Sequence, residues 1–156
     1  MLLSFAEWCE ATWLGTAVRD SVWAFPVIEA VHLLGLSLLG GAVLLVDLRM
    51  LGIGLTRQKI AQLARHMRPW LVAALCVMFT TGVLLFLSEA VKCYYNTSFR
   101  VKISTLPVAL LYTFFIRERI ARNEMLETSG KSRLVAAVSI GLWFTVAAAG
   151  RWVGFS

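Results

Sequence analysis

The stretch VWAFPVIEAVHLLGLSLLGGAVLLV, residues 22–46, decides the fold class. As a helix with a rise of about 1.5 Å per residue it reaches roughly 37 Å, which exceeds the ~30 Å hydrocarbon core of a bilayer. Its ionisable residues are Glu29 and His32 alone. The stretch is therefore typical of a membrane-spanning helix.

Three further apolar stretches follow at residues 70–88, 99–116 and 134–155. The chain is 59% hydrophobic and 15% charged, whereas soluble domains average about 45–50% and about 25%. The apolar runs are continuous, which excludes the alternating strands of a membrane barrel. We predict an all-α fold, a polytopic four-helix membrane bundle that forms one domain over residues 1–156.

The basic residues indicate how the bundle is oriented. Ten of the fifteen lysines and arginines lie in two connections, the one between spans one and two and the one between spans three and four. They are Arg49, Arg57, Lys59, Arg65, Arg68, Arg117, Arg119, Arg122, Lys131 and Arg133. By the positive-inside rule these connections are cytoplasmic. We therefore expect a multi-pass protein of the bacterial inner membrane with both termini on the periplasmic side. Because the cations flank spans, the net charge of +6 indicates topology and argues against a nucleic-acid partner.

Two short amphipathic segments accompany the spans. Residues 2–14 and 56–67 carry apolar side chains at helical spacing, opposite acidic and basic residues respectively. Such segments lie in the membrane interface. We predict an interfacial helix in each, with Pro69 beginning the second span.

The candidate site is a set of five ionisable residues within or beside the spans. Glu29 lies about 8 Å and His32 about 12 Å inside the first span by helix rise, and Glu89, Lys102 and Arg151 fall at the same end of the other three. Charges in spans are costly and indicate function by default. Three interpretations stay open: a binding pocket, contacts that hold the bundle together, or side chains that reach the headgroups.

Bound cofactors are constrained by the two histidines. His66 lies too far in depth from His32 for a bis-histidine haem, which leaves haem b only through a His32–Met78 pair or a dimer. Glu29 and His32 alone are too few for a metal, and we predict no metal ligands and no catalytic residues. Cys9 and Cys93 share one side of the membrane and could form a disulfide there. The pair Ser37 and Gly41 marks close packing within the monomer or a homo-oligomer face.

Several motifs resemble a family of small bacterial four-helix inner-membrane proteins of unknown function. They are Phe25-Pro26-x-x-Glu29-x-x-His32-x-x-Gly35, Asp47-Leu48-Arg49-x-x-Gly52, Thr81-Gly82-x-x-x-Phe86-x-x-Glu89-Ala90-x-Lys92-Cys93-Tyr94, Phe99-Arg100-x-Lys102 and Gly150-Arg151. The resemblance implies the four-helix membrane fold and a family pattern that includes Glu29, His32, Lys102 and Arg151. It implies no reaction. Family members often carry Asn and His late in the third span, where this chain has Tyr112 and Arg117.

The expected function is a non-catalytic membrane protein whose charged pocket binds a ligand, as a small subunit or binding module of a membrane redox complex. The ligand could be a quinone, haem or lipid, and membrane lipid is the expected surrounding. One alternative is an oligomeric proton-linked transporter or channel that uses Glu29 and His32. The other is a structural assembly factor.

Overall fold

Four long helices make up most of the computed structural model, which describes residues 2–55, 57–123 and 129–153. All four are long and apolar enough to cross a membrane: α3 (Ala24–Leu51), α4 (Ile60–Ser88), a composite third span (Thr97–Ala121) and α8 (Gly130–Val153). The described residues contain no strand. This confirms an all-α four-helix membrane fold. Part of the predicted 56–67 helix, namely residue 56, and the end of the predicted 134–155 span lie outside the described residues.

The third span is composite. It consists of α6 (Thr97–Leu111), a π-helical turn (Tyr112–Arg117) and α7 (Glu118–Ala121). The Asn96 side chain accepts a hydrogen bond from the Phe99 N–H at 3.1 Å and so caps the start of α6. The span is longer than the predicted 99–116 because the π-helical turn carries the helix past Ile116.

The second span differs from its prediction at its beginning. α4 runs unbroken through Pro69 and includes most of the segment expected to form a separate interfacial helix. The apolar stripe of that segment packs into the bundle through Ile60, Leu63 and Ala64. This burial outweighs the cost of a proline inside a helix, about 3 kcal/mol.

The N-terminal segment forms two short helices, α1 (Leu2–Glu10) and α2 (Trp13–Asp20), instead of one helix over 2–14. The break lies at Thr12, whose side chain caps α2 by accepting the Gly15 N–H at 3.2 Å. Both helices lie at the end of the bundle where α3 begins and α4 ends, called here the α1 end. Short helix α5 (Ala90–Tyr95) connects α4 to α6 at this same end.

The core lies along the centre of the four spans. One cluster of buried residues comprises Leu39, Ala42, Val43, Leu71, Ala74, Ala109, Trp143 and Val146. A second cluster at the end opposite α1 comprises Val46, Met50, Ile60, Leu63, Ala64, Ala121 and Ala136. Both clusters are apolar, whereas His32 and Lys102 of the predicted site lie closer to the α1 end than the first cluster does.

Candidate functional site

Lys102 is the central residue of the candidate site. It lies in the second turn of α6 and its side chain is half-buried. Its ammonium group makes no hydrogen bond or ion pair with any residue that the structure describes, although it lies within electrostatic range of His32 and Cys93. Burial removes part of the hydration of this group, and a ligand that accepts a hydrogen bond from it would compensate for that loss.

His32 is the second residue, and its hydrogen bond fixes which ring nitrogen is available. Its Nδ1 lies 2.8 Å from Thr81 Oγ1 of α4. We infer that the single Thr81 hydroxyl proton is donated to the Val77 carbonyl, 2.6 Å away, and that the Thr81 oxygen therefore accepts from Nδ1–H. In this neutral tautomer Nε2 carries a lone pair. The ring can therefore accept a hydrogen bond from a ligand.

Two glycines bring the elements of the site close together. A β-carbon at Gly82 would lie 3.4 Å from His32 Cε1, so the imidazole lies directly against the backbone of α4. A β-carbon at Gly150 of α8 would lie 3.5 Å from Lys102 Nζ. The side chain of Lys102 therefore crosses from α6 onto the backbone of α8.

The other three predicted site residues do not join this pair directly. Glu29 is exposed and forms no hydrogen bond or ion pair within the described ranges. Glu89 pairs with Lys92, with Oε2 and Nζ 3.6 Å apart, outside the spans. Arg151 is exposed near the end of α8 and has interactions of its own. The structure thus brings together His32 and Lys102, and places Glu29, Glu89 and Arg151 around them at the same end of the bundle.

The two cysteines predicted to share a side are both buried at the α1 end, as free thiols. Cys9 packs with Ala6 and Ala90 where α1 meets α5. Burial, reinforced by the Glu89 carboxylate, raises the pKa of the Cys93 thiol to about 11. A thiol with so high a pKa is a poor nucleophile at neutral pH.

The haem alternatives meet geometric obstacles. His66 lies fifteen residues before Thr81 on α4, about 22 Å along the helix axis, and Thr81 is the partner of His32. The Met78 side chain is already packed against Gly35, where a β-carbon would lie 3.4 Å from its sulfur. Within the described residues no three His, Cys, Asp or Glu side chains cluster in a way that could hold a metal ion.

A buried ion pair lies at the opposite end, and the sequence did not predict its position. Arg117 of the π-helical turn donates from Nε to Asp47 Oδ1 at 2.5 Å and from Nη2 to the Val43 carbonyl at 2.9 Å. Both charged side chains are almost fully buried. From its place in the sequence, Arg117 belongs to the basic connection between spans three and four. The deviation from the family pattern at Tyr112 and Arg117 was the available signal.

Residues 5–156 match the model of a family described as "Family of unknown function (DUF6644)". The chain belongs to this family. No curated protein and no solved structure matches it. Membership in this family agrees with the resemblance of the sequence motifs and assigns no activity to the chain.

Proposed function

We propose that this chain is a non-catalytic membrane module that binds the headgroup of a quinone or quinol between His32 and Lys102, as a small subunit of a larger redox complex. The observation that carries the proposal is the half-buried side chain of Lys102, whose ammonium group has no hydrogen-bonding partner among the described residues. A carbonyl oxygen of the ligand would supply that partner.

The two groups together favour a quinone over other oxygen-bearing ligands. Lys102 can only donate hydrogen bonds, and His32 Nε2 in the tautomer deduced above can only accept one. A quinone carbonyl accepts from Lys102, and the hydroxyl of the reduced form, the quinol, both accepts from Lys102 and donates to His32 Nε2. An ionised lipid phosphate accepts from the lysine but, unlike the quinol, has no proton to donate to the imidazole.

The site also lies at a suitable depth. Thr81, which fixes His32, lies seven residues before the end of α4, and Lys102 lies five residues after the start of α6. These separations correspond to about 10 Å and 8 Å of helix. We further propose the orientation expected from the loop charges, in a bacterial inner membrane, which places the site near the periplasmic surface.

The experiment is a titration of the detergent-purified protein with a short-chain ubiquinone analogue, followed by tryptophan fluorescence. Lys102→Met removes the donor and keeps an unbranched side chain. We expect its Kd to rise roughly 10- to 100-fold, because a hydrogen bond to a charged group contributes about 1.5–3 kcal/mol. Lys92→Met is the matched control, since Lys92 pairs with Glu89 outside the spans.

Two results would contradict the proposal. The first is that the wild-type protein does not bind the analogue. The second is equal weakening by Lys102→Met and Lys92→Met. An absorption spectrum of the same sample tests the haem alternative, because a Soret band would assign His32 Nε2 to iron instead.

A further inference from the structure

A groove lies on the outer surface of the bundle between α6 and α8, at the α1 end. Its volume is about 440 Å³. The residues that line it are Thr97, Ser98, Val101, Phe144, Thr145, Ala148, Ala149 and Trp152. Phe144 and Trp152 are 72% and 64% exposed, so two large aromatic side chains stand beside a floor of alanines.

The groove is adjacent to the candidate site through sequence neighbours on both helices. On α6, Ser98 lies one helical turn before Lys102 and Val101 directly precedes it. On α8, Ala149 directly precedes Gly150, whose β position lies 3.5 Å from Lys102 Nζ. Where the groove meets the site, α8 contributes Ala149 and Gly150, and the Lys102 side chain lies against that glycine. The groove is therefore next to the stretch of α8 backbone that Lys102 contacts.

The chemistry of the groove suits an apolar chain. From Phe144 to Trp152 it extends over eight residues of α8, which is about 12 Å. Most of its lining is aliphatic or aromatic, and the Thr145 hydroxyl donates within its own helix to the Gly141 carbonyl at 2.8 Å. The lining therefore offers contact area to a hydrocarbon chain and few unsatisfied polar groups.

We infer that this groove seats the first isoprene units of the quinone whose headgroup lies between His32 and Lys102. The inference rests on the proposed function and adds to it the class of ligand, a prenylated quinone that enters sideways from the membrane between α6 and α8. Burial of the chain in the groove makes the prenylated quinone bind more tightly than its headgroup alone.

The test compares two quinones with the same headgroup, one without a side chain and one with two isoprene units. Both are titrated in the same detergent, and the measured quantity is the ratio of their Kd values. We expect a ratio of at least tenfold in the wild-type protein. Ala148→Phe fills the groove and should reduce the ratio to about one while leaving the affinity for the bare headgroup unchanged.

Ala73→Phe is the matched control, because Ala73 is exposed on α4 and lines neither the groove nor the site. It should retain the wild-type ratio. If Ala148→Phe fails to fold, as judged by thermal unfolding, Phe144→Ala takes its place. That variant removes one wall of the groove, and we expect it to weaken only the prenylated quinone, by about fivefold.

The outcomes separate the two ideas. If the ratio of Kd values in Ala148→Phe or Phe144→Ala equals that of the wild-type protein, the groove assignment is overturned and the headgroup site is unaffected. Failure of the wild-type protein to bind either quinone would overturn both. A ratio near one in the wild-type protein, with tight binding of the headgroup, would overturn the groove assignment alone.

Discussion

Replacing Arg117 with methionine should strongly destabilise the bundle. The Arg117 and Asp47 side chains are 2% and 0% exposed. The substitution would leave the Asp47 carboxylate buried without its cation. Removing one partner of a buried ion pair costs about 3–5 kcal/mol, a large part of the ~5–15 kcal/mol that stabilises an ordinary domain.

A double substitution tests whether the unpaired Asp47 carboxylate causes this loss of stability. In Asp47→Leu combined with Arg117→Met no charge remains in the core, and apolar side chains of similar length fill the space. Replacing a buried pair in this way is often neutral or stabilising. We therefore expect the double variant to lie within about 1 kcal/mol of the wild type, with a coupling energy of at least ~2 kcal/mol.

The assay is equilibrium unfolding in mixed micelles of increasing SDS fraction, followed by circular dichroism. Arg122→Met is the control, because Arg122 pairs with Glu118 at 2.7 Å on an exposed turn and should cost less than about 0.5 kcal/mol. The stabilising role of the ion pair is refuted if Arg117→Met is as stable as the control. It is also refuted if the double variant loses as much free energy of unfolding as the two single variants together.

Three further predictions concern the α1 end. Gly15→Ala should lower the free energy of unfolding by about 1–3 kcal/mol, since the new β-carbon would lie 2.6 Å from a backbone oxygen of α4. Gly40→Ala is the control, because a β-carbon there meets open space, and equal stabilities of the two variants would contradict the prediction. With a pKa of about 11 against an ordinary 9.0, Cys93 as the single cysteine should react with maleimide about 100-fold more slowly at pH 8 than an ordinary thiol, and a rate that stops rising by pH 9 would count against it. Thr81→Val should remove the preference for Nδ1–H in the ¹⁵N spectrum of His32 and Thr81→Ser should keep it; an unchanged Thr81→Val spectrum would dismiss the tautomer assignment.

The spans could be predicted from sequence because hydropathy over about 20 residues dominates every other local preference. The orientation of single side chains could not be read in the same way. Glu29 and His32 are three residues apart, a spacing that leaves their side chains about 60° apart around the helix. That angle is enough for His32 to contact α4 while Glu29 is exposed.

Arg117 shows a different limit. Its position after the apolar residues of the third span is typical of a charge at a membrane boundary. The π-helical turn adds a residue to the helix and changes the direction of every side chain that follows. Ordinary helical periodicity does not reveal such a turn, and so it does not predict that Arg117 is buried. The pairing of His32 with Thr81 could not be predicted from the sequence, because threonines are common in helix contacts of every kind.

The contact between α3 and α4 makes the two sides of the proposed binding site unequal. His32 is held by Thr81 and lies against Gly82, so neither helix can shift there without breaking a hydrogen bond and a close backbone contact. Lys102 reaches the site on a flexible side chain from α6, a helix that contains Pro107. Ligands of different size would therefore be accommodated by movement of the third span, while the His32 imidazole keeps its position.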